Sequence, residues 1–324
     1  MRAAAIEVEG LEKRFGELAA LSGISFAVPA GEVFGYLGPN GAGKSTTIKI
    51  LSTLLAPSAG RARIAGHDVV REPAAVRRAL ALVFQDPSLD DRLTARENLA
   101  LHCVIYAVPR AERPKRIDEA LVTMDLTAYA GARVRTFSGG MRRRLEVARA
   151  LLHRPRVFFL DEPTTGLDPQ TRRSLWQRLR ELRDETGLSI FMTTHYMEEA
   201  EQCDRVAIID HGRIVAEGTP EALRRRAGAD RVLLATDDDV RTAGELERAG
   251  YAPRATAAGL EFEVANAEAF LPHLANFPVP LKELKIRKPT LEDAFIALTG
   301  HAIRAEEAGA RDVLRGAVRA RRRT

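Results

Sequence analysis

The residues GPNGAGKST, from Gly38 to Thr46, combine glycines, a lysine and hydroxyl groups at a spacing suited to binding phosphate. In the pattern G-x-x-x-x-G-K-S, the glycines let successive backbone N–H groups turn toward an anion, and the helix that follows favours negative charge at its N-terminus. We expect Lys44 to reach the β- and γ-phosphates of a nucleoside triphosphate and Ser45 to coordinate Mg²⁺. A glycine turn that only caps a helix is the alternative. The expected phosphate contacts are Gly38, Pro39, Asn40, Gly41, Ala42, Gly43, Lys44, Ser45 and Thr46.

A second group able to do chemistry is the pair of carboxylates that ends the apolar run VFFLDEP. We expect Asp161 to join the magnesium shell, directly or through water, and Glu162 to accept a proton from the attacking water. Adjacent carboxylates at the end of a strand are common on ordinary surfaces. Together with the phosphate loop, however, they predict hydrolysis of the triphosphate.

A third segment, FSGGMRRRLEVARALLHRP, begins at Phe137 with a serine and two glycines before a basic amphipathic helix. Ser138, Gly139 and Gly140 expose a hydroxyl and N–H groups, which suit phosphate, although a good N-cap with glycines explains the same residues. One triphosphate has no evident use for two such cradles from the same chain. A two-fold dimer resolves the difficulty, because the second cradle of each chain then closes over the nucleotide of the other.

The elements that must position these residues alternate between strands and helices. Short strands are predicted over residues 5–37, a strand, a short helix and a strand over 60–84, and helical spacing over Thr94–Tyr129. A helix from Ser138, the strand VFFLD, a long helix near 170–185, the strand SIFMTT and a hairpin turning at Asp210-His211-Gly212 follow. This alternation predicts an α/β fold with a mainly parallel sheet covered on both faces.

The C-terminal part of the chain lacks motifs of the phosphate type. From about residue 229 the order strand, helix, strand, strand, helix, strand suits a small ferredoxin-like α+β unit, and a final helix begins at Thr290 with Asp293 as its capping partner. The predicted domains are residues 1–228 for nucleotide binding, with a helical subdomain at about 88–155, then 229–300 for the small unit and 301–324 for an Arg-rich tail.

Composition indicates a globular protein in a reducing compartment. The 324 residues carry 49 Lys and Arg against 44 Asp and Glu, and residues 304–324 supply seven arginines against three acidic residues, so that 7 − 3 = +4 of the net +5 lies in the tail. A solvated terminus or attraction to anionic lipid or an acidic partner explains the tail, and no nucleic-acid groove is expected. No apolar run is long enough to span a membrane, and Cys103 and Cys203 form no metal or disulfide pattern.

In order and spacing, residues 5 to about 225 resemble the nucleotide-binding subunits of ATP-binding-cassette (ABC) transporters. GPNGAGKST is similar to the Walker A loop, FLDEP to the Walker B strand and FSGGM to the LSGGQ signature that the partner cassette contributes. Phe137 and Met141 depart from that signature, and Met141 removes an amide able to contact nucleotide. The resemblance implies a P-loop NTPase fold, ATP and Mg²⁺ as cofactors, and a head-to-tail homodimer of cassettes.

The resemblance also assigns roles to single residues. Gln85 matches the Q-loop glutamine that meets Mg²⁺ and water, Asp168 the D-loop aspartate, and His195 the switch histidine that contacts the γ-phosphate. Phe15 resembles the aromatic residue that stacks on adenine, with packing as its alternative role. The implied catalytic residues are Lys44, Gln85, Glu162 and His195, and the implied metal ligands are Ser45, Gln85 and Asp161.

A closer resemblance, to the daunorubicin-resistance subfamily of exporter ATPases, covers nearly the whole chain, including the terminal PTLEDAFIALTG. It implies an efflux role for drugs, lipids or other amphipathic compounds, a separately encoded transmembrane permease, and a place at the cytoplasmic face of the membrane. The alternative is a non-transport ABC ATPase that acts on nucleic acid or ribosomes. Such proteins carry two fused cassettes or a long coiled-coil insertion, for which the 93 residues between Ser45 and Ser138 (138 − 45) leave no room.

Overall fold

A computed structural model of the chain describes residues 4–85, 88–274 and 279–302. These residues form two compact units that divide at Gly218. The sequence analysis places the domain boundary at residue 228, after the last nucleotide-binding motif, and that boundary stays a prediction. Of the predicted Arg-rich tail, residues 303–324 lie outside the described residues. No helix in the described ranges is long and apolar enough to cross a membrane.

The first unit contains ten strands and seven α-helices among its described residues. The strands are β1 (Ala4–Phe15), β2 (Leu18–Pro29), β3 (Val33–Leu37), β4 (Ala59–Ile64), β5 (His67–Asp68), β6 (Leu80–Val83), β7 (Val157–Asp161), β8 (Ser189–Thr194), β9 (Arg205–Asp210) and β10 (Arg213–Gly218). The helices are α1 (Lys44–Leu51), α2 (Pro73–Ala79), α3 (Ala95–Ile105), α4 (Arg113–Thr123), α5 (Gly139–Leu151), α6 (Pro169–Thr186) and α7 (Met197–Ala200).

A six-stranded sheet in the order β10-β9-β3-β8-β7-β6 forms the centre of this unit. The five strands from β9 to β6 are mutually parallel, as predicted. Strands β3, β7 and β8 are buried along their whole length, which explains why their sequences are apolar runs without alternation.

The register of this sheet brings the predicted site residues to one edge. Leu37, the last residue of β3, lies opposite Thr194, the last residue of β8. Asp161, which ends β7, lies opposite Thr193. Because the carboxyl ends of parallel strands meet at the same edge, the loops that follow β3, β6, β7 and β8 emerge side by side.

The core of the first unit joins the central sheet to a second, antiparallel sheet of order β2-β1-β4-β5. Its centre is a group of aromatic rings, with Phe34 5.6 Å from Phe26 and 5.7 Å from Phe191 between ring centroids. Tyr36 lies 5.4 Å from Phe191. Burial of this group raises the pKa of the Tyr36 hydroxyl. These contacts hold β3 rigidly under the phosphate loop.

The chain between β6 and β7 forms helices α3, α4 and α5. The predicted helical stretch from Thr94 to Tyr129 is interrupted after Ile105, where Ala107 takes a left-handed φ of 51° before Pro109. Ala107 N donates to Val104 O (3.0 Å) and Val108 N to Cys103 O (2.8 Å), which closes the end of α3 around the left-handed residue. Pro109 follows, and α4 begins anew at Arg113.

The second unit contains α8 (Pro220–Arg225), β11 (Asp230–Thr236), α9 (Asp239–Arg248), β12 (Arg254–Thr256), β13 (Gly259–Val264), α10 (Ala267–Leu274), β14 (Leu281–Arg287) and α11 (Leu291–Thr299). Its sheet has the order β12-β13-β11-β14 with antiparallel pairing, the ferredoxin-like arrangement that the sequence predicts. Thr290 caps α11 with a capping box to Asp293, also as predicted. Helix α8, which the sequence analysis did not predict, begins with Thr219 as its cap and Pro220 in its first turn.

Candidate functional site

The phosphate loop connects β3 to α1 and is held from both sides. Gly38 N donates to Thr194 O (3.2 Å), and Ala42 O accepts from Gly212 N (3.0 Å). A side chain at Gly38 would collide with the backbone oxygen of Ile209. Gly43 has a φ of 108°, and a Cβ there would lie 2.8 Å from Ala20 O. Glycine at these two positions is therefore required by the backbone and its neighbours.

Lys44, Glu162 and His195 meet at one carboxylate oxygen. The Nζ of Lys44 lies 3.3 Å from Oε1 of Glu162, and Nδ1 of His195 lies 3.1 Å from the same oxygen. Lys44 Nζ also donates to Gly38 O (2.8 Å) and Pro39 O (3.1 Å). All three side chains are at most 13% exposed. The ends of β3, β7 and β8 thus deliver a lysine, a carboxylate and an imidazole to one point.

Burial and charge act in opposite directions on this cluster. Burial alone would raise the pKa of Glu162, but the close approach of the His195 ring and of the Lys44 ammonium outweighs burial and holds that pKa below its usual value. Burial lowers the pKa of Lys44, and attraction to Glu162 compensates only in part. The carboxylate is therefore kept ionised, the state that a proton acceptor needs.

Asp161 and Glu162 are oriented by Thr193 on the neighbouring strand. The Thr193 hydroxyl donates to Oδ1 of Asp161 (2.6 Å), and the same hydroxyl accepts from Glu162 N (3.1 Å). Glu162 has a positive φ of 46°, unusual for a residue with a side chain. Such strain persists only where surrounding contacts fix it, and it turns the Glu162 side chain away from the strand direction toward Lys44.

Ser138 is the N-cap of α5, because its Oγ accepts from Met141 N (3.2 Å). The capping role that the sequence left open is therefore real, and Ser138 and Gly139 are also exposed. A Cβ at Gly140 would lie 2.6 Å from Cγ2 of Thr171. Glycine at position 140 lets α5 approach the start of α6.

The other predicted residues lie at the start of α6, after β6, in the first turn of α1 and at the end of β1. Asp168 caps α6 by accepting from Gln170 N and Thr171 N, and the Thr171 hydroxyl bonded to it lowers its pKa. Gln85 follows β6 and is exposed, as is Ser45 in the first turn of α1. Phe15 is 50% exposed at the end of β1, under the Lys13 ammonium, which argues against a packing role.

Only some of the predicted site residues are therefore in direct contact with one another. Direct contacts join Lys44, Glu162 and His195, while Asp161 is linked to them through Thr193. Within the described ranges, no hydrogen bond or ion pair connects Ser138–Gly140, Phe15 or Gln85 to this cluster.

Sequence analysis did not identify two buried polar residues beside the site. Glu199 on α7 accepts from the hydroxyls of Thr164 and Thr194, and burial raises its pKa to about 7. Arg143 on α5 is 6% exposed and donates a hydrogen bond to the backbone oxygen of Glu162. Both occur in charged runs that are typical of solvated surfaces, so the sequence carries no signal of their burial.

Comparison with known proteins accounts for this geometry. The family model described as "ABC transporter" matches residues 21–165. The daunorubicin resistance ATP-binding protein DrrA3 of Streptomyces coeruleorubidus is 41% identical over 94% of this chain and 98% of its own length. The chain belongs to the family of ABC transporter ATP-binding subunits. The linearmycin resistance ATP-binding protein LnrL of Bacillus subtilis is 36% identical over 92% of the chain and 99% of its own length.

Solved structures agree with the fold. An ATP-binding cassette solved as a dimer in a post-hydrolysis state with ADP and phosphate has a TM-score of 0.60 and 30% identity, covering 66% of this chain and 98% of its own. An ATP-binding subunit of an ABC transporter has a TM-score of 0.62 and 33% identity over 68% of this chain and 92% of its own. The predicted P-loop NTPase cassette fold is confirmed, and the chain is an ATP-binding ABC ATPase. Cassettes of this family dimerise and function with membrane permeases.

Proposed function

We propose that the chain powers an ABC exporter as a head-to-tail homodimer bound to a separately encoded transmembrane permease, at the cytoplasmic face of the membrane. The observation that carries the proposal is the single Glu162 oxygen that faces both Lys44 and His195. A general base must be ionised and must lie beside the groups that hold the reacting phosphate. Glu162 meets both conditions.

The roles follow from chemistry and position. The loop from Gly38 to Thr46 cradles the phosphates with its N–H groups, and Lys44 neutralises the β- and γ-phosphates. Glu162 accepts the proton of the attacking water, and His195 holds the γ-phosphate. Phe15, which is half exposed, is free to stack on adenine.

The residues around Asp161 fit a magnesium ion. Carboxylate and hydroxyl oxygens are the ligands that Mg²⁺ prefers, and the Asp161 carboxylate is held in place by the Thr193 hydroxyl. Asp161, the exposed Ser45 hydroxyl and Gln85 would hold the ion. When bound, the ion neutralises charge on the β- and γ-phosphates.

The exposed signature turn supports the dimer. Ser138 and Gly139 open α5 with exposed polar groups, and among the described residues neither is hydrogen-bonded to the Lys44 cluster of its own chain. Facing the nucleotide of a second copy gives these groups a phosphate to bind, with Asp168 at the contact between the two sites. Bound ATP then joins two surfaces that separate after hydrolysis.

The named relatives support export of amphipathic compounds. The names of DrrA3 and LnrL refer to resistance to daunorubicin and to linearmycin. These names do not favour the alternative role with nucleic acid or ribosomes.

Substitution of Glu162 by Gln tests the hydrolytic mechanism. The amide cannot accept the proton of water, so we expect ATP turnover to fall at least about 100-fold while ATP binding persists. ATP should then trap the variant as a dimer, which size-exclusion chromatography measures against the wild-type protein. Turnover at the wild-type rate would refute the role of Glu162.

A further inference from the structure

Arg143, on the signature helix α5, holds backbone from two other parts of the first unit. Its Nε donates to Pro163 O (2.6 Å), and its Nη2 donates to Asp161 O (3.3 Å) and Glu162 O (3.4 Å). Its Nη1 donates to Phe84 O (2.5 Å). One buried guanidinium therefore connects α5 to the segment that carries Glu162 and to the residue immediately before Gln85.

Glu146, one turn further along α5, completes the arrangement. Its Oε2 accepts from Arg143 Nη1 (3.0 Å), and its Oε1 accepts from Ser88 N (2.8 Å). Arg149 adds a bond from Nη1 to Ser88 O (2.7 Å). Since Phe84 and Ser88 lie on either side of Gln85 in the sequence, α5 binds both flanks of the predicted Q-loop.

These contacts are suited to positioning rather than to net stabilisation. A buried ion pair gains little over an apolar pair of the same size, because both charges lose hydration. A guanidinium, however, offers five donors in a fixed plane, so carbonyls bonded to it are held at fixed relative positions. Glu162, with its left-handed φ, is a residue whose backbone needs such restraint.

We propose that Arg143, held by Glu146, is a positioning residue that fixes Glu162 and the flanks of Gln85 relative to the signature helix. The proposal rests on the proposed function in taking Glu162 as the general base and in pairing the cassettes head to tail. In a head-to-tail dimer, the helix that contacts the partner's nucleotide through Ser138 would also set the geometry of its own chain's Glu162. The two ATP sites are thereby linked through α5.

The test replaces Arg143 by Met, which keeps the length of the side chain and removes its donors. Since Lys44 and the phosphate loop are held by other contacts, we expect kcat to fall at least tenfold while KM and the Kd of a fluorescent ATP analogue change less than about twofold. Arg143→Lys, which keeps the charge but not the planar set of donors, should recover part of kcat and provides the variant to measure if Arg143→Met does not fold.

Arg144→Met is the matched control. Arg144 lies on the same helix, but its Nη1 donates to Met124 O (3.4 Å) in another part of the helical segment. We expect its kcat to remain within about threefold of wild type. An equal loss of kcat in both variants would show a general effect of removing arginine from α5 and would overturn the proposal.

Two further readouts separate this proposal from the proposed function. Hydrogen exchange at the Ser88 amide should accelerate at least tenfold in Arg143→Met but not in Arg144→Met, whatever the ATPase activity. The double variant with Glu162→Gln should still form the ATP-trapped dimer, because Ser138 is intact. Unchanged exchange, unchanged kcat or loss of the trapped dimer would each overturn the positioning role, whereas an inactive wild-type chain would overturn only the proposed function.

Discussion

Glu199 is a buried carboxyl group whose raised pKa makes the stability of the protein depend on pH. It is 1% exposed and lies among hydroxyls of Thr164 and Thr194 rather than beside a bonded cation. Burial raises its pKa from 4.5 to about 7, so the folded protein holds this proton more tightly than the unfolded chain does. The stabilisation that results is fully present below the pKa of Glu199 in the unfolded chain. It is lost as the pH rises through the pKa of Glu199 in the folded protein.

The substitution Glu199→Gln should remove this pH dependence. Between pH 5 and pH 8 we expect the free energy of unfolding of the variant to gain up to about 3 kcal/mol relative to wild type, because the pKa of Glu199 rises from 4.5 to about 7 on folding. Denaturant titrations followed by fluorescence of Trp176, the single tryptophan and part of α6 in the first unit, measure the difference. A parallel pH dependence in both proteins would contradict the raised pKa.

At the scale of elements, the junction of β3 and α1 depends on backbone that only glycine adopts easily. The left-handed φ of Gly43 directs the first N–H groups of α1 into the loop, and the Ala20 oxygen lies where a Cβ would point. A methyl group there must move β2 or the loop.

The substitution Gly43→Ala should therefore impair both folding and binding. We expect a loss of about 1–3 kcal/mol in stability and at least a tenfold weaker Kd for ATP. Gly131→Ala is the control, because a Cβ at position 131 would have no neighbouring atom within 4 Å and Gly131 has no left-handed φ. Calorimetry and ATP titration should show the control within about 0.5 kcal/mol of wild type. Equal behaviour of the two variants would contradict the steric argument.

Strands and helices were predicted correctly where a local pattern, such as an apolar run or a capping residue, determines them. Apolar runs gave β3, β7 and β8, and cap residues gave the starts of α5 and α11. The contacts of Arg143 could not be predicted, since its partners are mostly backbone carbonyls about 20 and 59 positions away, which no side-chain pattern records. The burial of Glu199 depends likewise on the packing of α7.

At the scale of the whole molecule, the proposed dimer makes each ATP site from two chains. Lys44→Ala disables the phosphate loop of its own chain, whereas Ser138→Arg disables the site on the partner. Each homodimer then lacks both sites, but a mixed dimer keeps one intact site.

Mixing these two variants should restore ATPase activity. With random pairing, half of the dimers are mixed and each has one working site of two, so we expect about a quarter of the wild-type rate. Phosphate release from the mixture is compared with release from each variant alone at the same total concentration. No recovery, with mixed dimers shown by differential tagging, would exclude a shared site.

Cys203 packs closely against Gly35 of β3, so the reactivity of its thiol reports on the packing beside the central sheet. A Cβ on Gly35 would lie 2.9 Å from the Cys203 sulfur, and burial raises the pKa of that thiol well above its usual value. Cys103, on α3, is also buried and unpaired, and burial raises its pKa. Because a thiol reacts as the thiolate, alkylating reagents should modify each cysteine only when its surroundings open. Mass-spectrometric labelling rates, with and without ATP, would therefore report separately how often the first unit opens around Cys203 and around Cys103.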